Sequence, residues 1–139
     1  MAEPKGNMSK YLEAQILSHV LRGAAYTAPS TIYVGIVSEN ATEEELEAGT
    51  LTHEVTGYIG NRKSTTWASL SVVDGKTQTV NSQELNFVSV PQTNLEYLII
   101  VDAAAGGNVL WWTKMPSKKF VNAGDTVTIN IATLIVNID

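Results

Sequence analysis

Beyond Lys63 the chain is punctuated by turn signals about every 8–12 residues, with short alternating segments between them, the pattern of a sandwich or barrel. Asp74-Gly75 is a tight-turn pair, Gly106-Gly107 a hairpin connection, and Pro91 to Asn94, Pro116 to Lys119 and Asn122 to Asp125 read as turns or loops. Between them the predicted strands are Arg62 to Leu70, Glu84 to Val90, Leu95 to Val101, Val109 to Met115, Phe120-Val121 and Thr126 to Ile138. Period-two alternation places Leu85, Phe87 and Ser89 on one face, and Leu95, Tyr97, Ile99 and Val101 on another. The expected fold is mainly β: a single-domain antiparallel β-sandwich or barrel.

Two helical segments interrupt this pattern. Ser9 is a good N-cap, and Tyr11, Leu12, Ile16, Leu17, Val20 and Leu21 recur at three- and four-residue spacing before Gly23 ends the run. That apolar stripe must pack on its own sheet or on a neighbouring subunit. Thr31 to Val37 then reads as a strand covered on both faces. Thr42 with Glu45 resembles a capping box, predicting a short acidic helical turn that Gly49 closes. The domain is expected over residues 9–139, with residues 1–8 as a polar N-terminal arm.

Charge is uneven along the chain. The net charge is −5, and six of the fourteen acids fall between Glu39 and Glu54, where no lysine or arginine intervenes. A chain this acidic lacks the basic stripe that nucleic acid requires. No stretch approaches the roughly 20 apolar residues of a membrane-spanning helix. The absence of cysteine removes disulfides, thiolate metal sites and cysteine nucleophiles together.

Catalytic constellations are also missing from the pattern. His19 and His53 stand apart without ligand spacing, and His19 is expected as a packed or boundary imidazole beside the apolar stripe. No serine occupies a G-x-S-x-G elbow, and no glycine loop opens a helix that could hold phosphate. Glu43, Glu44, Glu45 and Glu47 form a solvated acidic contact loop, since contiguous glutamates fan outward instead of converging on calcium. No enzyme activity, cofactor or metal is expected. The adjacent Trp111 and Trp112 must point to opposite faces of a strand, so one fills the core and the other lies against the helix or anchors an interface. Lys114, Lys118 and Lys119 form a small basic patch that could meet the acidic loop of a neighbouring copy.

Four stretches carry a family resemblance. They are Tyr11 to Arg22 with Tyr26 to Pro29 and Ile32 to Ile36; Glu54-Val55, Gly57-Tyr58 and Arg62; Asn81-Ser82 to Leu85-Asn86-Phe87; and Asp102, Gly106 to Leu110 and Val121 to Asp125. From about Met8 to Asp139 the sequence is similar to a family of small tailed-bacteriophage virion proteins, often labelled tail fibre or virion structural protein. Ile59-Gly60-Asn61 separate Tyr58 from Arg62, a longer gap than the family's usual Tyr-x-Arg. The resemblance implies a non-enzymatic, oligomeric building block of the virion, made in the host cytoplasm. From charge and the lack of a long apolar run, no nucleic-acid or membrane partner is expected.

Within a virion, the lack of a heptad or β-helical shaft favours a capsid decoration (cement) protein over a tail fibre or receptor-binding protein, with a carbohydrate-binding sandwich module as a third reading. The expected partners are the chain itself, as a homotrimer, and the major capsid protein or other virion proteins. The expected contact residues are Met1, Lys5, Tyr11, Ile16, Trp111, Trp112, Lys118 and Lys119, besides the acidic loop.

Overall fold

The computed structural model describes residues 6–138. In chain order the elements are β1 (Gly6–Met8), α1 (Lys10–Arg22), β2 (Tyr33–Ser38), α2 (Glu43–Glu47), β3 (Lys63–Ser64), β4 (Ser71–Val73), β5 (Lys76–Val80), β6 (Leu85–Val90), β7 (Thr93–Val101), β8 (Val109–Val121), β9 (Asp125–Ile129) and β10 (Ile135–Ile138). They form three antiparallel sheets: β1-β8-β7-β2-β3, β10-β5-β4 and β6-β9. Among the described residues no sheet closes on itself, so the fold is sandwich-like and not a barrel.

The five-stranded sheet is buried on both faces, as the continuous apolar run of β2 predicts. One face, with Val34 and Ile36, packs against Leu85 and Phe87 of β6 and Val127 and Ile129 of β9. The opposite face, with Val37, Ile99, Val101 and Trp112, is covered by Leu46 of α2 and by Leu51. The acidic helical turn is thus a lid on the second core.

Several strands depart from simple alternation. Ser89 has φ +58°, which advances the register so that Val90 enters the core in place of Ser89. β8 runs unbroken from Val109 to Val121, through the segment Pro116 to Lys119 that reads as a loop. A bulge reconciles the two, because Leu95 pairs with Lys119 and Tyr97 with Lys114, so Glu96 alone faces Met115 to Lys118. A proline at such a bulge removes no ladder hydrogen bond.

The predicted closing strand is likewise two, β9 and β10, divided by a turn at Ala132, where φ is +64°. Buried Asn81 holds that turn from fifty residues upstream. Its Nδ2 donates to the Asn130 carbonyl at 3.0 Å, its Oδ1 accepts from Leu134 N at 2.9 Å, and its carbonyl accepts from Ala132 N at 2.9 Å. Of the expected arm, Met1 and Lys5 lie outside the described residues, and Gly6–Met8 is an edge strand whose Asn7 pairs with Trp112 and Met8 with Trp111.

Candidate assembly surfaces and the buried arginine clasp

Helix α1 is fastened at its N-terminal end. Ser9, fully buried, accepts a hydrogen bond from Leu12 N at 3.2 Å, donates through its hydroxyl to the Val109 carbonyl, and donates through its backbone N–H to the Leu110 carbonyl at 2.9 Å. Leu12 is the one buried residue of the helix. At the other end Gly23 adopts the left-handed cap conformation, and His19 Nδ1 donates to the Ala24 carbonyl at 2.8 Å. His19 is therefore an exposed capping group and not a packed imidazole.

Between these ends Leu17, Val20 and Leu21 are 58, 69 and 75% exposed. These three form a stripe distinct from the Leu12 face, with Tyr11 and Ile16 half-buried between the two. A 13-residue helix is marginal in water without a covered apolar face.

The tryptophans divide as the strand pleat requires. Trp112 is buried beneath α2, edge-on to Tyr97 with ring centroids 6.2 Å apart. Its indole Nε1 is buried without a hydrogen-bond partner among the described residues. Trp111 is half-buried on the other face, beside Leu98, Ile100, Leu134 and Ile135. Both rings therefore contribute to packing within the chain.

The basic patch is folded back on the chain's own acids. The β8 bulge brings Lys114 and Lys118 to different carboxylate oxygens of buried Glu96, at 3.5 and 3.6 Å, and Lys118 also lies 3.9 Å from Glu39. Lys119 is exposed. Of the acidic loop, Glu44 faces solvent, whereas Glu43, Glu45 and Glu47 are half-buried. Thr42 caps α2 by accepting from Glu45 N at 3.2 Å, but the Glu45 carboxylate accepts from His53 Nδ1 at 2.8 Å instead of reaching back to Thr42. Burial, then the Glu96 and Glu43 carboxylates, push the Tyr97 hydroxyl pKa upward.

The most elaborate polar site was only partly visible in sequence. Arg62 is buried and spends its guanidinium on four bonds: Nε and Nη2 each donate to a Glu54 oxygen at 2.6 Å, while Nη1 donates to the carbonyls of Ala103 and Gly106 at 2.8 Å. The β7–β8 connection is held from within as well, where Asp102 accepts from the backbone and side-chain N–H groups of Asn108 at 2.7 and 3.0 Å. Glu54 lies over β2 where a side chain is absent: a Cβ on Gly35 would sit 2.8 Å from Glu54 Oε2.

Tyr58 borders the same small cleft of about 320 Å³, stacked edge-on against Phe87 at 5.2 Å. Burial foremost, with the Glu54 carboxylate adding and Arg62 opposing, pushes its hydroxyl up to about 12. The cleft's carboxylate has both oxygens engaged by Arg62. Among the described residues no cluster of three or more His, Asp or Glu could hold a metal ion, and no helix is long and apolar enough to cross a membrane.

Glu54, Arg62, Asp102 and Gly106, spread across two of the resemblance-bearing stretches, thus converge on a clasp that fixes loops, while Asn81, from a third, fixes the final turn. The sequence signature describes how the chain folds. A family model described as podophage GP4 fiber I protein gp80 matches residues 7–137. The chain belongs to this family. The gp80 fibre family is one of small tailed-phage virion structural proteins, and the match covers all four resemblance-bearing stretches. No curated protein matches the chain.

Proposed function

We propose that this gp80-family chain is a non-enzymatic structural subunit of a virion fibre, built into the particle through α1. The observation that carries the reading is the helix itself. It is bolted to β8 by Ser9 and Leu12, yet presents Leu17, Val20 and Leu21 to solvent. Contiguous exposed aliphatics rarely serve a monomer and mark a protein–protein contact. The family description supports placement in a fibre; it gives no particular support to decoration of the head. The homotrimer belongs to this proposal as the arrangement in which α1 helices cover one another, and other virion proteins are the onward partners.

Leu17→Asp with Leu21→Asp tests the reading, since both side chains are exposed and neither contributes to the core. The variant should keep its β-sheet circular dichroism, sediment as a monomer and fail to enter particles in a complementation assay. A variant that oligomerises and is packaged like the parent overturns the role of α1.

A further inference from the structure

A second surface stands apart from α1 and carries its own inference. The small sheet β10-β5-β4 leaves the outer edge of β4 unpaired among the described residues. Native proteins guard such edges with lysine, proline, bulges or a covering loop. From Thr65 to Val73 there is no charged residue and no proline, and β4 pairs with β5 without a register shift. Leu70 and Val72 on this edge are 72 and 70% exposed.

Backbone geometry decides which groups are free. Asp74 and Gly75, with φ +52° and +78°, form a two-residue type I′ turn, so the flanking Val73 and Lys76 are the first hydrogen-bonded pair of the hairpin. In antiparallel pairing such pairs alternate with pairs whose backbone groups point away. Val72, opposite Thr77, is therefore a residue whose N–H and C=O both face outward.

We infer that β4 pairs antiparallel with β4 of a second copy about a two-fold axis at Val72, making a continuous six-stranded sheet. A strand with both groups of its central residue outward satisfies itself under two-fold symmetry, with Val72 exchanging both bonds with its counterpart. Charge permits an identical partner as well. Two chains of net charge −5 repel wherever their acids meet, and this edge is free of them. The nearest acid, Asp74, falls opposite Leu70 of the second copy. That keeps the two Asp74 carboxylates four residues apart along the ladder, roughly 14 Å, beyond the ~8 Å screening length of physiological salt. So short a ladder is weak between free molecules and gains strength where assembly through other surfaces supplies high effective concentration. It does not depend on the fibre reading.

The cysteine-free sequence makes a clean test. Val72→Cys and, as control, the exposed Val88→Cys are treated with a short bis-maleimide linker at high protein concentration. Val72→Cys should form covalent dimer at least tenfold faster. Mixing equal amounts of Leu70→Cys and Asp74→Cys should give heterodimer well beyond the twofold excess over either homodimer that random pairing produces, the signature of the antiparallel register. All four positions are exposed, so folding is checked by thermal melting alone. Equal rates for Val72→Cys and Val88→Cys, or heterodimer no more than twice either homodimer in the mixture, overturn the pairing.

Discussion

Replacing Arg62 by methionine removes the cation from a site where everything around it was arranged for one. Two charge-assisted bonds of 2.6 Å to Glu54 and two of 2.8 Å to carbonyls vanish, leaving a carboxylate whose side chain is only 9% exposed. Stranding one member of a buried ion pair costs about 3–5 kcal/mol. For a domain of this size each kcal/mol is about 2–4 °C in Tm, so a drop of roughly 6–20 °C is expected.

Urea denaturation of the parent, Arg62→Met, Glu54→Leu and the double variant closes a cycle. The double variant should be more stable than the sum of the single losses implies, with a coupling of about 2 kcal/mol or more, because an apolar pair leaves no buried charge. Its remaining deficit of about 1–3 kcal/mol reflects the unpaired Ala103 and Gly106 carbonyls. A single-variant loss below ~1 kcal/mol, the size typical of a solvent-exposed pair, would refute the clasp as a structural centre. So would strict additivity.

Three further outcomes follow from named contacts. Tyr58 has its pKa raised from 10 to about 12, so its contribution is complete below pH 10 and is lost as pH climbs to 12. That loss is about 2–3 kcal/mol, and Tyr58→Phe should flatten the alkaline decline in stability by that amount. Ser9→Ala deletes the cap on Leu12 N and the hydroxyl bond to Val109, costing about 1–2 kcal/mol, and hydrogen exchange should accelerate in α1 before any strand. Gly35→Ala forces a Cβ to within 2.8 Å of Glu54 Oε2 and 3.1 Å of Ile99, so a loss of about 1–3 kcal/mol is expected in thermal melting.

What the sequence disclosed was what neighbours in the chain decide. The Ser9 and Gly23 caps, the Asp74-Gly75 turn and the double coverage of β2 each depend on a few adjacent residues, and all are present. Features set by distant partners were not legible. Nothing around Pro116 signals that Glu96 on β7 gathers Lys114 and Lys118 and carries β8 straight through.

The even alternation from Thr126 to Ile138 conceals a turn because the group that fastens it is Asn81. Arg62 stood in the resemblance as a companion of Tyr58, yet its donors go to Glu54 and to two carbonyls more than forty residues away. Of the lysine patch and acidic loop, read as contacts between copies, Lys114, Lys118 and Glu45 also have partners within the chain. The exposed aliphatics of α1 and β4 were present in the sequence, but amphipathic patterning cannot separate a face that meets the core from one that meets a partner.

The central claim is that this chain is a fibre component held in place by its surfaces. Cryo-electron microscopy of intact particles labelled with an antibody fragment against this protein tests it most directly. Label confined to the tail, at low copy number in symmetric clusters, is the predicted result. Label spread over the head lattice at hundreds of copies, or absent from purified particles, would contradict it.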